Sequence, residues 1–170
     1  MTDGLFAADI LAELPARPWR GIVYRLMLAD YRPERENTVG ARWNPPDTAA
    51  IYTSESADIA IAEVMYHLNL QPRPVRADLK KTIYKIDVEL TAVVNLADLI
   101  PHLERAGIQH HAIVGNDWST SQAIGKTVTW LDRDGLFVPS ARAAGKNLVI
   151  YPAYTKPDRY RFDVISSYLL

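Results

Sequence analysis

The stretch TIYKIDVEL, residues 82–90, decides the fold class. Thr82, Tyr84, Ile86, Val88 and Leu90 fall on one side of an extended chain, with Ile83, Lys85, Asp87 and Glu89 on the other. Successive side chains point to opposite faces of a strand. The alternation therefore predicts a half-buried strand, apolar toward a core and polar toward water, as antiparallel sheets have.

The flanking segments extend this reading. RGIVYRLML, residues 20–28, is β-branched and aromatic and predicts a second strand. Both of its faces are apolar except at Arg25, which predicts an interior strand with a cation on one buried face. Residues 50–54 predict a short strand, and Ser56 can cap a helix over 57–69, ADIAIAEVMYHLN. VVNL reads as a further strand, with a helix near 97–106. Ser119 and Gln122 resemble a capping box opening a helix near 120–131. DRDG signals a turn, LFVPS and NLVIY short strands, and RYRFDVI a last strand. Residues 3–13 look like an amphipathic helix, with acids where a signal peptide needs bases, that must stop before Pro15 and Pro18. No βαβ rhythm repeats. The expected fold is α+β, one domain over 1–170, with a mixed or antiparallel sheet and flanking helices.

Composition narrows the function. The chain has 170 residues, 48% of them hydrophobic, enough for a sizeable core. Its 19 basic and 20 acidic residues leave a net charge of −1, which argues against a protein built to neutralise a nucleic-acid backbone. There are no cysteines, so disulfides and thiolate chemistry are excluded. No segment approaches the roughly 18 apolar residues that span a bilayer, and a cytoplasmic location is the expectation. AIGKT, residues 123–127, imitates the end of a phosphate-binding loop, but Thr120 stands where that motif needs glycine. His67, His102, His110 and His111 match no metal spacing and read as surface or loop residues.

Four places invite chemistry. Arg25 cannot shed its charge, so burial requires a structural ion pair or an anionic ligand. Arg42 and Trp43 sit in GARWNPP, residues 40–46, where a glycine and two prolines make a stiff bend. A guanidinium and an indole there suit a phosphate and a planar ring, or else a surface cation and a core plug. Glu63 lies opposite the apolar stripe of Ile61, Val64, Met65 and Leu68, facing either solvent or a cleft. Ser140 follows Pro139 at a strand end, a place for a site residue or an ordinary turn.

Together, WRGIVYRLML, GARWNPP, AIYTSES with AIAEVMYHL, and GLFVPSARAAGKNLVIYP resemble the RES domain, over about residues 19–152. That family is named for an Arg, a Glu and a Ser, and forms the toxin half of Xre–RES toxin–antitoxin pairs. The resemblance makes Arg25, Glu63 and Ser140 that set, with Arg42, Trp43 and Tyr52 as further pocket residues. Tyr151 and Ala41 stand where the family pattern usually has asparagine and glycine. The resemblance implies an ADP-ribosyltransferase-like fold and NAD as substrate, with no other cofactor and no metal. It implies cleavage of the nicotinamide–ribose bond with water or phosphate as acceptor, and an Xre-type antitoxin partner that occludes the pocket. Transfer of ADP-ribose to a protein is the alternative within the same pocket. A non-enzymatic interaction module or an RNA-directed toxin is the alternative outside it.

Overall fold

The computed structural model describes residues 8–71, 79–105 and 107–170. Six strands make one mixed sheet: β1 (Ala16–Leu28), β2 (Ile51–Ser54), β3 (Lys81–Asn95), β4 (Gly135–Pro139), β5 (Lys146–Ile150) and β6 (Arg161–Leu169). Among the described residues five α-helices accompany it: α1 (Ala8–Glu13), α2 (Ala57–Asn69), α3 (Ile100–Arg105), α4 (His110–Val114) and α5 (Ser119–Trp130). The α+β expectation holds, with flanking helices on a mostly antiparallel sheet. Part of the helix expected over 3–13, and the centre of the 71–81 connection, lie outside the described residues.

The strand order is β1-β2-β5-β4-β3-β6, and β1 also pairs with β3, so the first five strands close on themselves. Among the described strands only β3 and β4 pair in parallel. β3 is the hub, flanked by β1, β4 and β6. It is longer than the alternation alone suggests, because Val93, Val94 and Asn95 of VVNL continue it instead of opening a new strand.

Ile86, Val88 and Leu90 are buried as expected, in a cluster with Val23, Ile51, Phe137, Leu148 and Ile150 from the other four closed strands. A second cluster joins the opposite face to the helices through Leu11, Leu103, Ile113, Ile124, Val128, Leu136, Val138 and Val149. β4 and β5 thus meet apolar neighbours on both faces, which is why their sequences are short apolar runs. Ile83 departs from expectation. Assigned to the water side by alternation, it is fully buried, because α2 covers that end of the sheet through Ala60.

Two further expectations are corrected. β1 follows β3 from Ala16 to Leu28 but meets β2 only at Tyr24↔Ser54, so its first half is not an interior strand. The Ser119–Gln122 capping box does not form: Trp118 is the N-cap, without a side-chain cap bond. Gln122 Nε2 instead donates to the Ala41 carbonyl at 2.9 Å, tying α5 to the 37–46 loop.

The glycine of AIGKT has a packing role. A β-carbon on Gly125 would stand 1.9 Å from the Trp43 carbonyl oxygen, so α5 can press on that loop only through a glycine. Gly125→Ala is expected to lose about 1–3 kcal/mol or more through overpacking, read as a fall in thermal midpoint. Among the described residues no helix is long and apolar enough to cross a membrane.

Candidate functional site

The 37–50 segment is built around Asn44, which is fully buried. Its side-chain amide donates to the carbonyls of Asn37 and Thr48 at 3.2 and 2.7 Å. Gly40 takes a φ of 100°, a conformation that L side chains avoid, while its N–H donates to Asn37 Oδ1. The Tyr52 hydroxyl closes the structure, accepting from the Trp43 N–H at 2.9 Å and donating to Asn44 Oδ1 at 2.7 Å. Burial raises the Tyr52 phenol well above its ordinary range, so it stays protonated. Tyr52→Phe leaves two buried partners unpaired. We expect it to cost about 1–3 kcal/mol, seen as a lower midpoint in urea or heat.

This frame delivers Arg42. Its Nη1 donates to the carbonyls of Ile113 and Gly115 at 2.9 and 2.6 Å, and its guanidinium lies 5.9 Å from the Trp118 ring. Arg42 is therefore an anchored, half-buried cation and not a free surface residue. Burial, then the nearby charge of Arg142, pushes its guanidinium below the ordinary arginine value. Trp43 is corrected as a stacking residue. Its indole is 2% exposed within the helix-side core, so it shapes the wall and offers no open face.

Arg25 projects from the second half of β1 and donates through Nη1 to the Pro33 carbonyl. Burial pushes it down to about 10, with Glu34 opposing that shift and Arg35 adding to it. The structural ion pair considered for it does not form. Among the described residues, Arg25, Arg42 and Arg142 are in no salt bridge.

The carboxylate comes from α2. Ser56 caps this helix as expected, accepting from the Ile59 N–H at 3.3 Å. The expected apolar stripe is rotated: Ile59, Ala60 and Leu68 are the buried positions. Ile59 and Glu63, one turn apart, both face the β4–β5 connection. There Glu63 Oε1 accepts from Ser140 Oγ at 2.6 Å and from Asn147 Nδ2 at 2.8 Å. Ser54 Oγ donates in turn to Asn147 Oδ1 at 2.7 Å. Ser140 Oγ also accepts the backbone N–H groups of Arg142 and Ala143, both at 3.1 Å. The serine thus clips the 140–143 turn to the carboxylate, and Oε2 of Glu63 receives none of these bonds.

These parts converge. Arg25, Arg42, Trp43, Tyr52, Glu63, Trp118, Arg142 and Asn147 line one cleft of about 800 Å³, within the range of about 300–1,000 Å³ usual for small-molecule sites. Ser140 is one hydrogen bond from it. His67, read as a surface residue, also lines the cleft. Burial, opposed by Glu63, holds its imidazole below the ordinary value and hence neutral near pH 7. Arg142, Asn147, Trp118 and Ser54 were not singled out from the sequence. For Arg142 and Asn147 the available signal was their place in the FVPSARAAGKN segment around Ser140.

The chain, with its closed α+β sheet and a carboxylate, a serine and arginines about one cleft, belongs to the RES domain family. The RES domain family model matches residues 15–168. Among curated proteins the chain is similar to NAD(+) phosphorylase MbcT of Mycobacterium bovis and of Mycobacterium tuberculosis, 33% identical over 122 residues in each case. That match covers 69% of this chain and 64% of the relatives' length. Among solved structures it is similar to the crystal structure of the M. tuberculosis MbcT-MbcA toxin-antitoxin complex, with TM-score 0.77 and 28% identity. There the match covers 99% of this chain and 92% of that one.

Proposed function

We propose that this protein is the toxin of a toxin–antitoxin pair and consumes NAD by breaking the nicotinamide–ribose bond in the 800 Å³ cleft. The observation that supports this best is the unpaired state of its arginines. A buried guanidinium is costly without an anion, and the Arg25 and Arg42 guanidiniums are offered no carboxylate at ion-pair distance among the described residues. A dinucleotide pyrophosphate supplies that anion.

The chemistry asks for little more. Nicotinamide leaves as a neutral base, taking the C–N electron pair and leaving an oxocarbenium-like ribose. Ser140 and Asn147 hold Oε1 of Glu63, which leaves Oε2 to accept from a ribose hydroxyl and face the developing positive charge. Ser140 acts as a positioning residue. Its hydroxyl proton is committed to Glu63, and among the described residues no histidine or lysine is hydrogen-bonded to it as a stronger base. The pathway then closes when phosphate or water adds to the anomeric carbon. MbcT bears the name NAD(+) phosphorylase, which favours phosphate. We place the protein in the cytoplasm with an Xre-type antitoxin that occludes the cleft.

The test is release of nicotinamide from NAD by the purified protein, with and without inorganic phosphate, with the products separated. Free ADP-ribose or its 1″-phosphate is expected. Radiolabel retained on a protein band, with no free product, would move the reading to protein modification.

A further inference from the structure

We propose that Arg142 binds the inorganic phosphate acceptor and selects phosphate over water; this rests on the NAD-cleaving reading above. Three observations place an oxyanion there. The Arg142 guanidinium carbon lies over the Tyr66 ring, 3.3 Å from its centroid. Stacking fixes the plane of the cation while leaving its edge for a second ligand. Its Nε is buried, and among the described residues no hydrogen bond or ion pair engages the guanidinium. A stacked guanidinium that lines the cleft and is in no ion pair is the arrangement that a bidentate oxyanion completes.

The third observation is position. Tyr66 stands three residues after Glu63 on α2, so the ring that carries Arg142 and the carboxylate share one helix face. Ser140 Oγ donates to Glu63 and accepts from the backbone N–H of Arg142, which ties the turn that carries this arginine to the carboxylate. Arg42 adds positive charge, near enough that Arg142 is felt at its guanidinium. Two cations are needed beside Glu63, because a phosphate dianion brought alone to a carboxylate would be repelled.

The step balances without a protein base. An oxygen of HPO₄²⁻ donates an electron pair to the anomeric carbon as the C–N bond breaks toward nicotinamide. The product is the 1″-phosphate monoester, which keeps the acceptor's proton. Water would have to lose a proton in the same step, and the dianion does not. A site that concentrates phosphate here therefore sets the product.

The test is the phosphate dependence of Arg142→Ala and Arg142→Lys. For Arg142→Ala we expect KM for phosphate to rise at least tenfold and KM for NAD to change less than threefold. The share of free ADP-ribose among the products should grow. Arg142→Lys, which keeps the charge but not the fork, should fall between. A second readout needs no turnover: phosphate should raise the thermal midpoint of the wild type and not of Arg142→Ala. Should the alanine variant not fold, Tyr66→Leu, which removes the stacking face, must show the same rise in KM for phosphate. Unchanged KM for phosphate, or an equal rise in KM for NAD, overturns the proposal while NAD cleavage stands. Absence of nicotinamide release by the wild type overturns the NAD reading itself.

Discussion

Glu63→Gln is expected to reduce nicotinamide release by about 10²–10³-fold or more, the loss usual for removing a preorganised charge from a transition state. The amide keeps the shape of the carboxylate. Its oxygen can still accept from Ser140 and Asn147, so the 140–143 turn and β5 stay in place. What disappears is the negative charge facing the ribose. KM for NAD should change little, because the pyrophosphate contacts assigned to Arg25 and Arg42 are untouched; the loss falls on kcat. Steady-state kinetics with circular dichroism as a folding control measure this. A rise in KM alone, or loss of the folded state, would show Glu63 to be a binding or scaffold residue.

Arg25→Met separates function from stability in the opposite sense. In the folded protein burial lowers the guanidinium to about 10. In the unfolded chain it sits near the ordinary arginine value, so the unfolded state holds the proton more tightly. Folding therefore pays for the buried charge at every pH below about 10, and that cost fades only as the pH rises through this value. Methionine removes the charge and keeps the aliphatic bulk, at the loss of the bond to the Pro33 carbonyl. We expect the thermal midpoint at pH 7 to rise by a few degrees, since each kcal/mol is worth about 2–4 °C in a chain of this size. NAD cleavage should fall at least about a hundredfold, as expected for a lost charge-assisted contact. NAD should also no longer raise the midpoint. A fall in stability with activity retained would make Arg25 a structural cation.

Much of this arrangement was legible in the sequence, for physical reasons. Alternation in residues 82–90 identified the central strand because one face of β3 does meet a core. It misplaced Ile83, since period-two patterning cannot register that a helix from elsewhere in the chain covers the other face. Ser56 was readable because capping is local. The Ser119–Gln122 box was not, because the 37–46 loop captures Gln122 across a separation of 81 residues. Arg25, Glu63 and Ser140 came from four motifs in order; the chain's folding brings Arg25 and Glu63 to one cleft, with Ser140 hydrogen-bonded to Glu63 at its edge. Trp43 was left open between a stacking residue and a core plug, because an indole beside an arginine reads the same on a surface or in a core. Its burial depends on α5 arriving through Gly125. Arg142 and Asn147 were marked only by their place beside Ser140 in FVPSARAAGKN, which does not say what they contact. Their partners, Tyr66 and Glu63, are 76 and 84 residues away.

The most direct measurement is a crystal structure of Glu63→Gln soaked with NAD. The nicotinamide ribose should lie against residue 63, its pyrophosphate against Arg25 and Arg42, and the Arg142 edge should face the anomeric carbon. NAD bound outside the cleft, or with its adenine end at residue 63, would contradict the assignment of this carboxylate to the bond that breaks.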